Sequence, residues 1–259
     1  MRFKDPDRKV LWGSPTHLRV FSRPEEVCCY TAWETTVPLL EWKHYLGLAG
    51  KVLAISQFCA IALGAEAIVP LGIKPLPTVS VEKPERFVFG SVGNFSSRKG
   101  FDLLYKAFAG ICEGRDMELW LKSEPDRTLP GPWDEHPQVK VFSEDWDETR
   151  LSIFYGSLGC YIQASRGEGF GLCPQEAASL GVPSLVTDGS GLAEQIDDKM
   201  VFGVPAKKVP SVLGGEWWEA DVSELADSML RFWGGEVRMR TVKVRMLKET
   251  ARLLREAVT

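Results

Sequence analysis

Two glutamates and three glycines have types and spacing that could do chemistry together. Glu168 and Glu176 stand in the run ASRGEGFGLCPQEAASLGVP, residues 164–183, where Gly167, Gly169 and Gly171 alternate. Glycine lets a backbone approach a ligand closely. The amides of such a loop, backed by the start of a helix, suit an anion such as phosphate. A carboxylate facing a pocket accepts hydrogen bonds from paired hydroxyls, the way a ribose or hexose is gripped. A second cluster is cationic. Arg98 and Lys99 sit in GSVGNFSSRKGFDLLYKAF, residues 90–108, where they could neutralise a diphosphate. Taken alone, each cluster also reads as a solvated turn or an ordinary glycine loop.

The elements around these clusters place them. Residues 87–92 (FVFGSV) predict a strand, and apolar positions 101, 103, 104, 107 and 108 predict a helix. Strands follow at 117–121, 139–142, 159–163, 184–187 and 200–204. Helices are expected at 148–156, 174–180 and 192–196. Pro174 fits a first helical turn, and Gly181 and Pro183 stop that helix. Alternating strands and helices imply an α/β fold with an open, doubly wound parallel sheet. Ligands bind at the carboxyl ends of such strands, where both clusters fall. Upstream, short apolar runs at 9–12, 27–30, 51–55 and 67–69 read as strands, with a helix at 38–48. Four prolines between Pro70 and Pro84 mark a linker. The expected organisation is a reduced N-terminal lobe (1–76), a linker (77–84), a nucleotide-binding domain (85–215) and C-terminal helices (216–259). Those helices are read at 223–233 and 236–258.

The chain has 259 residues, 44% of them hydrophobic and 25% charged, which fits one large or two small globular domains. No apolar run is long enough to cross a bilayer, and the first nine residues, MRFKDPDRK, lack a signal-peptide core. A cytoplasmic location is expected. The net charge of -4 argues against a nucleic-acid partner. Six cysteines without a CxxC pair, and three scattered histidines, predict reduced thiols and no metal site. Asp197 and Asp198 read as a surface cap.

Together the two clusters resemble family 4 of the retaining glycosyltransferases (group 1). The matching residues are Gly93, Arg98-Lys99-Gly100, Leu104 and Ala107-Phe108, then Ser165, Glu168-Gly169-Phe170-Gly171, Glu176-Ala177, Gly181 and Pro183. The likeness runs over about residues 86–232 and includes TDGSGLAE at 187–194. It implies the GT-B fold of two Rossmann-like lobes facing a cleft. It also implies that Glu168 is catalytic and contacts the donor sugar. Arg98 and Lys99 would hold the donor diphosphate, and Gly169, Phe170 and Gly171 would present amides to phosphate or sugar. Glu176 would hold the ribose, and the loops after 117–121 and 139–142 would line the base pocket. The donor would be a UDP- or GDP-sugar, used as a co-substrate without metal or other cofactor.

The chain also departs from the family pattern. Asn94 stands where an arginine is common, and Trp33 beside Glu34 stands where the cleft often has a histidine. About 75 residues precede the linker, too few for a full first lobe. Glu34 and Thr35 are the cleft or acceptor contacts expected from this lobe, and Trp33 could stack on a sugar. Two readings stay open. One is a compact glycosyltransferase; the other is a nucleotide-sugar-binding subunit that needs a partner chain. The acceptor is unknown, and homo-oligomer formation is compatible with the chain. Residues 237–258 hold seven Lys or Arg against two Glu, with an apolar stripe at 242, 246, 247, 253, 254 and 257. That stripe predicts packing on the body, with peripheral membrane contact as the alternative.

Overall fold

The computed structural model describes residues 9–127 and 131–258. A first sheet is built from β1 (Lys9–Trp12), β2 (Val27–Thr31), β3 (Lys51–Ala54) and β4 (Ala67–Ile68). Its strands run parallel in the order β1-β2-β3-β4. Helix α1 (Leu40–Leu46) joins β2 to β3, and α2 (Gln57–Leu63) joins β3 to β4. All five residues of β2 are buried, as expected of a strand covered on both faces.

The second sheet holds six parallel strands. They are β5 (Phe87–Val92), β6 (Met117–Ser123), β7 (Val139–Ser143), β8 (Cys160–Gln163), β9 (Ser184–Thr187) and β10 (Val201–Val204). The crossovers are α3 (Phe101–Ala109), α4 (Glu148–Ser157), α5 (Cys173–Ser179) and the single turn α6 (Ser190–Ala193). The order is β10-β9-β8-β5-β6-β7. The chain moves outward from β5 to β7, then returns to the other side of β5 with β8. That reversal opens a crevice at the carboxyl ends of β5 and β8. The loops leaving these two strands carry the cationic cluster and the glycine-rich loop.

Three features differ from expectation. Residues 216–220 form a strand, not the start of a helical tail. The pair β11 (Ala206–Pro210) and β12 (Glu216–Ala220) is an antiparallel hairpin, and helix α7 begins only after it (Val222–Trp233). Trp217 is buried from this strand, so its bulk reflects strand packing. The last helix, α8 (Leu247–Val258), is also shorter than the predicted 236–258. Val242, Val244 and Met246 alternate with charged residues at a period of two. They pack as an extended segment around buried Ile73. Ile73 and Met246 pair as a parallel bridge, with Ile73 donating to the Arg245 carbonyl at 2.9 Å.

The apolar stripe of α8 is covered by the first lobe. Leu254 and Val258 belong to the core containing Val27, Leu53 and Leu63. Phe170, from the glycine-rich loop of the second lobe, enters the same core. No helix among the described residues is long and apolar enough to cross a membrane. Of the six cysteines, all but Cys173 are buried.

Candidate active site

The two loops at the crevice touch directly. Gly100 ends the cationic turn at φ +68°, and a Cβ there would lie 1.9 Å from the Ala164 carbonyl oxygen. Glycine is therefore required by both torsion and space. The Arg166 amide donates to the Arg98 carbonyl at 2.6 Å, joining the loops again.

Glu168 is the hub. Lys99 Nζ lies 2.5 Å from its Oε1, and Arg98 Nη1 lies 3.3 Å from the same oxygen. Arg98 also donates to the Gly167 carbonyl at 2.7 Å. Glu168 is 8% exposed. Burial pushes its carboxyl up, but the Lys99 and Arg98 charges outweigh burial and hold it below the usual glutamate range. The Glu168 amide donates to Ser190 Oγ at 3.1 Å, which fixes the loop from the α6 side.

The carbonyls of Gly169, Phe170 and Gly171 are all tied down. Ser56 Oγ donates to Gly169 at 2.6 Å, while Gln195 Nε2 donates to Phe170 and, at 2.8 Å, to Gly171. The three corresponding amides have no hydrogen-bond partner among the described residues. A loop with anchored carbonyls and free amides is suited to an anion.

Glu176 sits in the first turn of α5 and accepts a hydrogen bond from Tyr155 Oη at 2.9 Å. Burial pushes its carboxyl above the usual range, and the Tyr155 bond only partly opposes that. The two signature carboxylates thus differ in electrostatics. Glu168 is held ionised by cations, and Glu176 is partly desolvated with one neutral donor. A cavity of about 240 Å³ opens at the carboxyl ends of β5 and β6. Gly93, Asn94, Lys122, Ser123, Asp145 and Trp146 line it, so the loops after β6 and β7 do border a pocket. Lys122 is buried and lies 5.0 Å from the centre of the Trp146 ring.

The first lobe meets this site directly. Glu34 lies 3.5 Å from Arg98 Nη2, so it reaches the cationic turn. Thr35, expected to contact substrate, has no exposed surface. Its hydroxyl accepts from Trp33 Nε1 at 2.9 Å and donates to the Val37 carbonyl at 2.8 Å, which braces the loop. Trp33 is likewise a core residue at 5% exposure, tilted against Trp42, and offers no face for a sugar. Glu194, in the loop after α6, accepts from the Gln57 and Phe58 amides at 2.9 and 2.7 Å. It thereby caps α2 across the lobes. Asp197 Oδ1 accepts from the amides of residues 199–201, so it is a turn cap.

Sequence reading missed Arg166, Tyr155, Ser190 and Gln195. Their roles depend on partners 21 to 69 residues away in the chain, a separation that no local spacing encodes.

Residues 59–258 match the family model described as "Family 4 Glycosyltransferase in conflict systems". No curated protein matches the chain. Among solved structures, it is similar to a sucrose-phosphate synthase from Thermosynechococcus elongatus. That likeness has 18% identity and a TM-score of 0.67, covering 96% of this chain and 69% of the other. An alpha,alpha-trehalose 6-phosphate synthase from Burkholderia multivorans has 12% identity and a TM-score of 0.62, covering 97% and 70%. The GtfA/B complex has 13% identity and a TM-score of 0.58, covering 90% and 53%. At these identities the likeness establishes the fold, a reduced GT-B architecture.

Proposed function

The chain belongs to the family-4 glycosyltransferases in conflict systems, and we propose that it transfers a sugar from a nucleotide-sugar to an acceptor hydroxyl. One observation carries this reading. Lys99, Arg98 and Glu168 converge within 3.3 Å at the switch point of the parallel sheet, beside a loop with free amides. Glu176 and the cavity after β5 and β6 lie at the same end of that sheet.

The donor diphosphate replaces Glu168 as the partner of Lys99 and Arg98. As the bond from sugar C1 to the phosphate oxygen breaks, negative charge grows on the departing diphosphate. Cations and amides already in place stabilise that charge more than the ground state. Glu168, released from its cations, faces the sugar hydroxyls, and Glu176 accepts from the ribose. The cavity bordered by Trp146 and Lys122 takes the base, which we assign to a UDP- or GDP-type donor. The family resemblance supports retention of anomeric configuration and leaving-group stabilisation by side chains instead of a metal.

The test is release of nucleoside diphosphate from labelled UDP-, GDP- and ADP-sugars, with and without chelator. Wild-type protein releases one nucleotide in both conditions, while Lys99→Met and Glu168→Gln do not. Release that needs added metal contradicts the metal-free mechanism. Binding without release favours the second reading, a donor-binding subunit completed by another chain. The second reading draws support from the similarity to the GtfA/B complex, which is named for two components. It also draws support from exposed Leu40, which opens α1, and Val212, in the turn of the β11–β12 hairpin, 83% and 81% accessible.

A further inference from the structure

We propose that Arg166 is the positioning residue of this site: it holds the turn that presents Arg98 and Lys99 and couples that turn to the β11–β12 hairpin. The proposal rests on the reading of Arg98 and Lys99 as phosphate ligands. Arg166 is 8% exposed although it is permanently charged, so its burial requires partners for the whole guanidinium. It has them. Nη1 and Nη2 form a planar fork on Asp102, at 2.8 Å each. Nη1 also donates to the Ser97 carbonyl at 2.6 Å, and Nε donates to Glu219 Oε2 at 3.1 Å. Nη2 lies 3.0 Å from that same Glu219 oxygen. Five N–H groups thus meet five acceptor contacts.

These partners have a common geometry. Ser97 and Arg98 are the two residues before Lys99, and both of their carbonyls are held by Arg166, one by its side chain and one by its amide. Asp102 opens α3, directly after the turn. On the far side, Glu219 belongs to β12, and the Trp218 amide donates to the Arg166 carbonyl at 2.7 Å. One residue therefore fixes the cationic turn, the glycine-rich loop and the hairpin as a unit. A lysine would keep the charge and lose the fork, since an ammonium cannot match a planar carboxylate and a carbonyl at once. Fork geometry and simple charge thus predict different behaviour for Arg166→Lys.

The experiment compares wild type, Arg166→Lys, Arg166→Met and Glu219→Gln in two readouts. The first is hydrogen exchange over residues 95–100, which contains the Lys99 amide bonded to the Ser96 carbonyl at 3.0 Å. The second is affinity for UDP, GDP and ADP beside the matching nucleosides. Both Arg166 variants should exchange faster over 95–100. Each should bind the preferred diphosphate at least about tenfold more weakly, with nucleoside affinity unchanged. Glu219→Gln, at a half-exposed partner, should shift both readouts in the same direction by less. Wild-type exchange in Arg166→Lys, or an equal loss for diphosphate and nucleoside, overturns the proposal. A wild type that binds a diphosphate, with Arg166→Lys binding it equally well, overturns this proposal alone. A wild type that binds no nucleotide overturns the donor reading and this proposal with it.

Discussion

Glu168 and Glu176 are the same residue type eight positions apart, yet their carboxyls are pushed in opposite directions. The signs give opposite stability profiles. For Glu176 the folded-state pKa is raised by burial, so the folded protein binds that proton more tightly than the unfolded chain. Its ionised form therefore costs stability as pH rises from the ordinary glutamate value through the raised one. Glu176→Gln should raise the melting temperature at about pH 7 and give no gain below about pH 4. The same change should weaken diphosphate binding, and wild-type binding should fall as acid protonates Glu176. For Glu168 the folded-state pKa is lowered by Lys99 and Arg98, despite burial. Its stabilising contribution is present above the ordinary value and is lost as pH falls through the folded one. Paired melting curves across pH for the two Gln variants check both signs. Under the proposed function, Glu34 competes with the donor for Arg98, which lies 3.5 Å away in a pair that is only partly buried. Such pairs are worth up to about 1 kcal/mol. Glu34→Gln should therefore tighten diphosphate binding by up to about fivefold, measured by titration at low salt. Unchanged or weaker binding would mean that Glu34 is not a competitor.

At the scale of elements, the loops after β5 and β8 act only because they are wedged together. Gly100→Ala places a methyl against the Ala164 carbonyl at a positive φ, and should cost about 2 kcal/mol or more in denaturant unfolding. The six-stranded sheet was readable because its strands are short runs rich in apolar residues, separated by helices, of which α3 has regular apolar spacing. Phe101, Leu103, Leu104, Ala107 and Phe108 all lie in the core, as their spacing predicts. The hairpin was not readable. Its two strands mix Lys and Glu with Trp and have no long apolar run, and the Gly214–Gly215 turn was masked by a helix expected to follow. In the tail, apolar and charged residues alternate over 242–246, a period of two that was read as part of a helical stripe. Of the site, the glutamates and cations were legible because glycine spacing frames them. Thr35 and Trp33 were misplaced because neighbours in sequence turned inward to brace their own loop. Arg166 was invisible because an arginine between a serine and a glycine gives no sign of its five contacts.

Across the whole molecule, the two lobes are joined by contacts from both ends of the chain. Helix α8 comes from the C-terminus and closes the core of the first lobe, where Leu254 is 8% exposed. Leu254→Ala should destabilise by about 2–3 kcal/mol, read as a lower denaturant midpoint. Ser56 on Gly169, Glu194 on α2 and the edge-on pair of Phe58 with Trp218 hold the lobes against the glycine-rich loop. The first lobe, with four strands, thus packs closely against the glycine-rich loop. The proposed function requires the switch-point crevice to bind a nucleoside diphosphate through Lys99 and Arg98. The most direct measurement is calorimetric titration of the wild-type protein and Lys99→Met with UDP, GDP and ADP in the presence of chelator. One diphosphate should bind wild type saturably at one site, and bind Lys99→Met at least about tenfold more weakly. No binding of any of the three to wild type, or equal binding to both proteins, would contradict the proposed function.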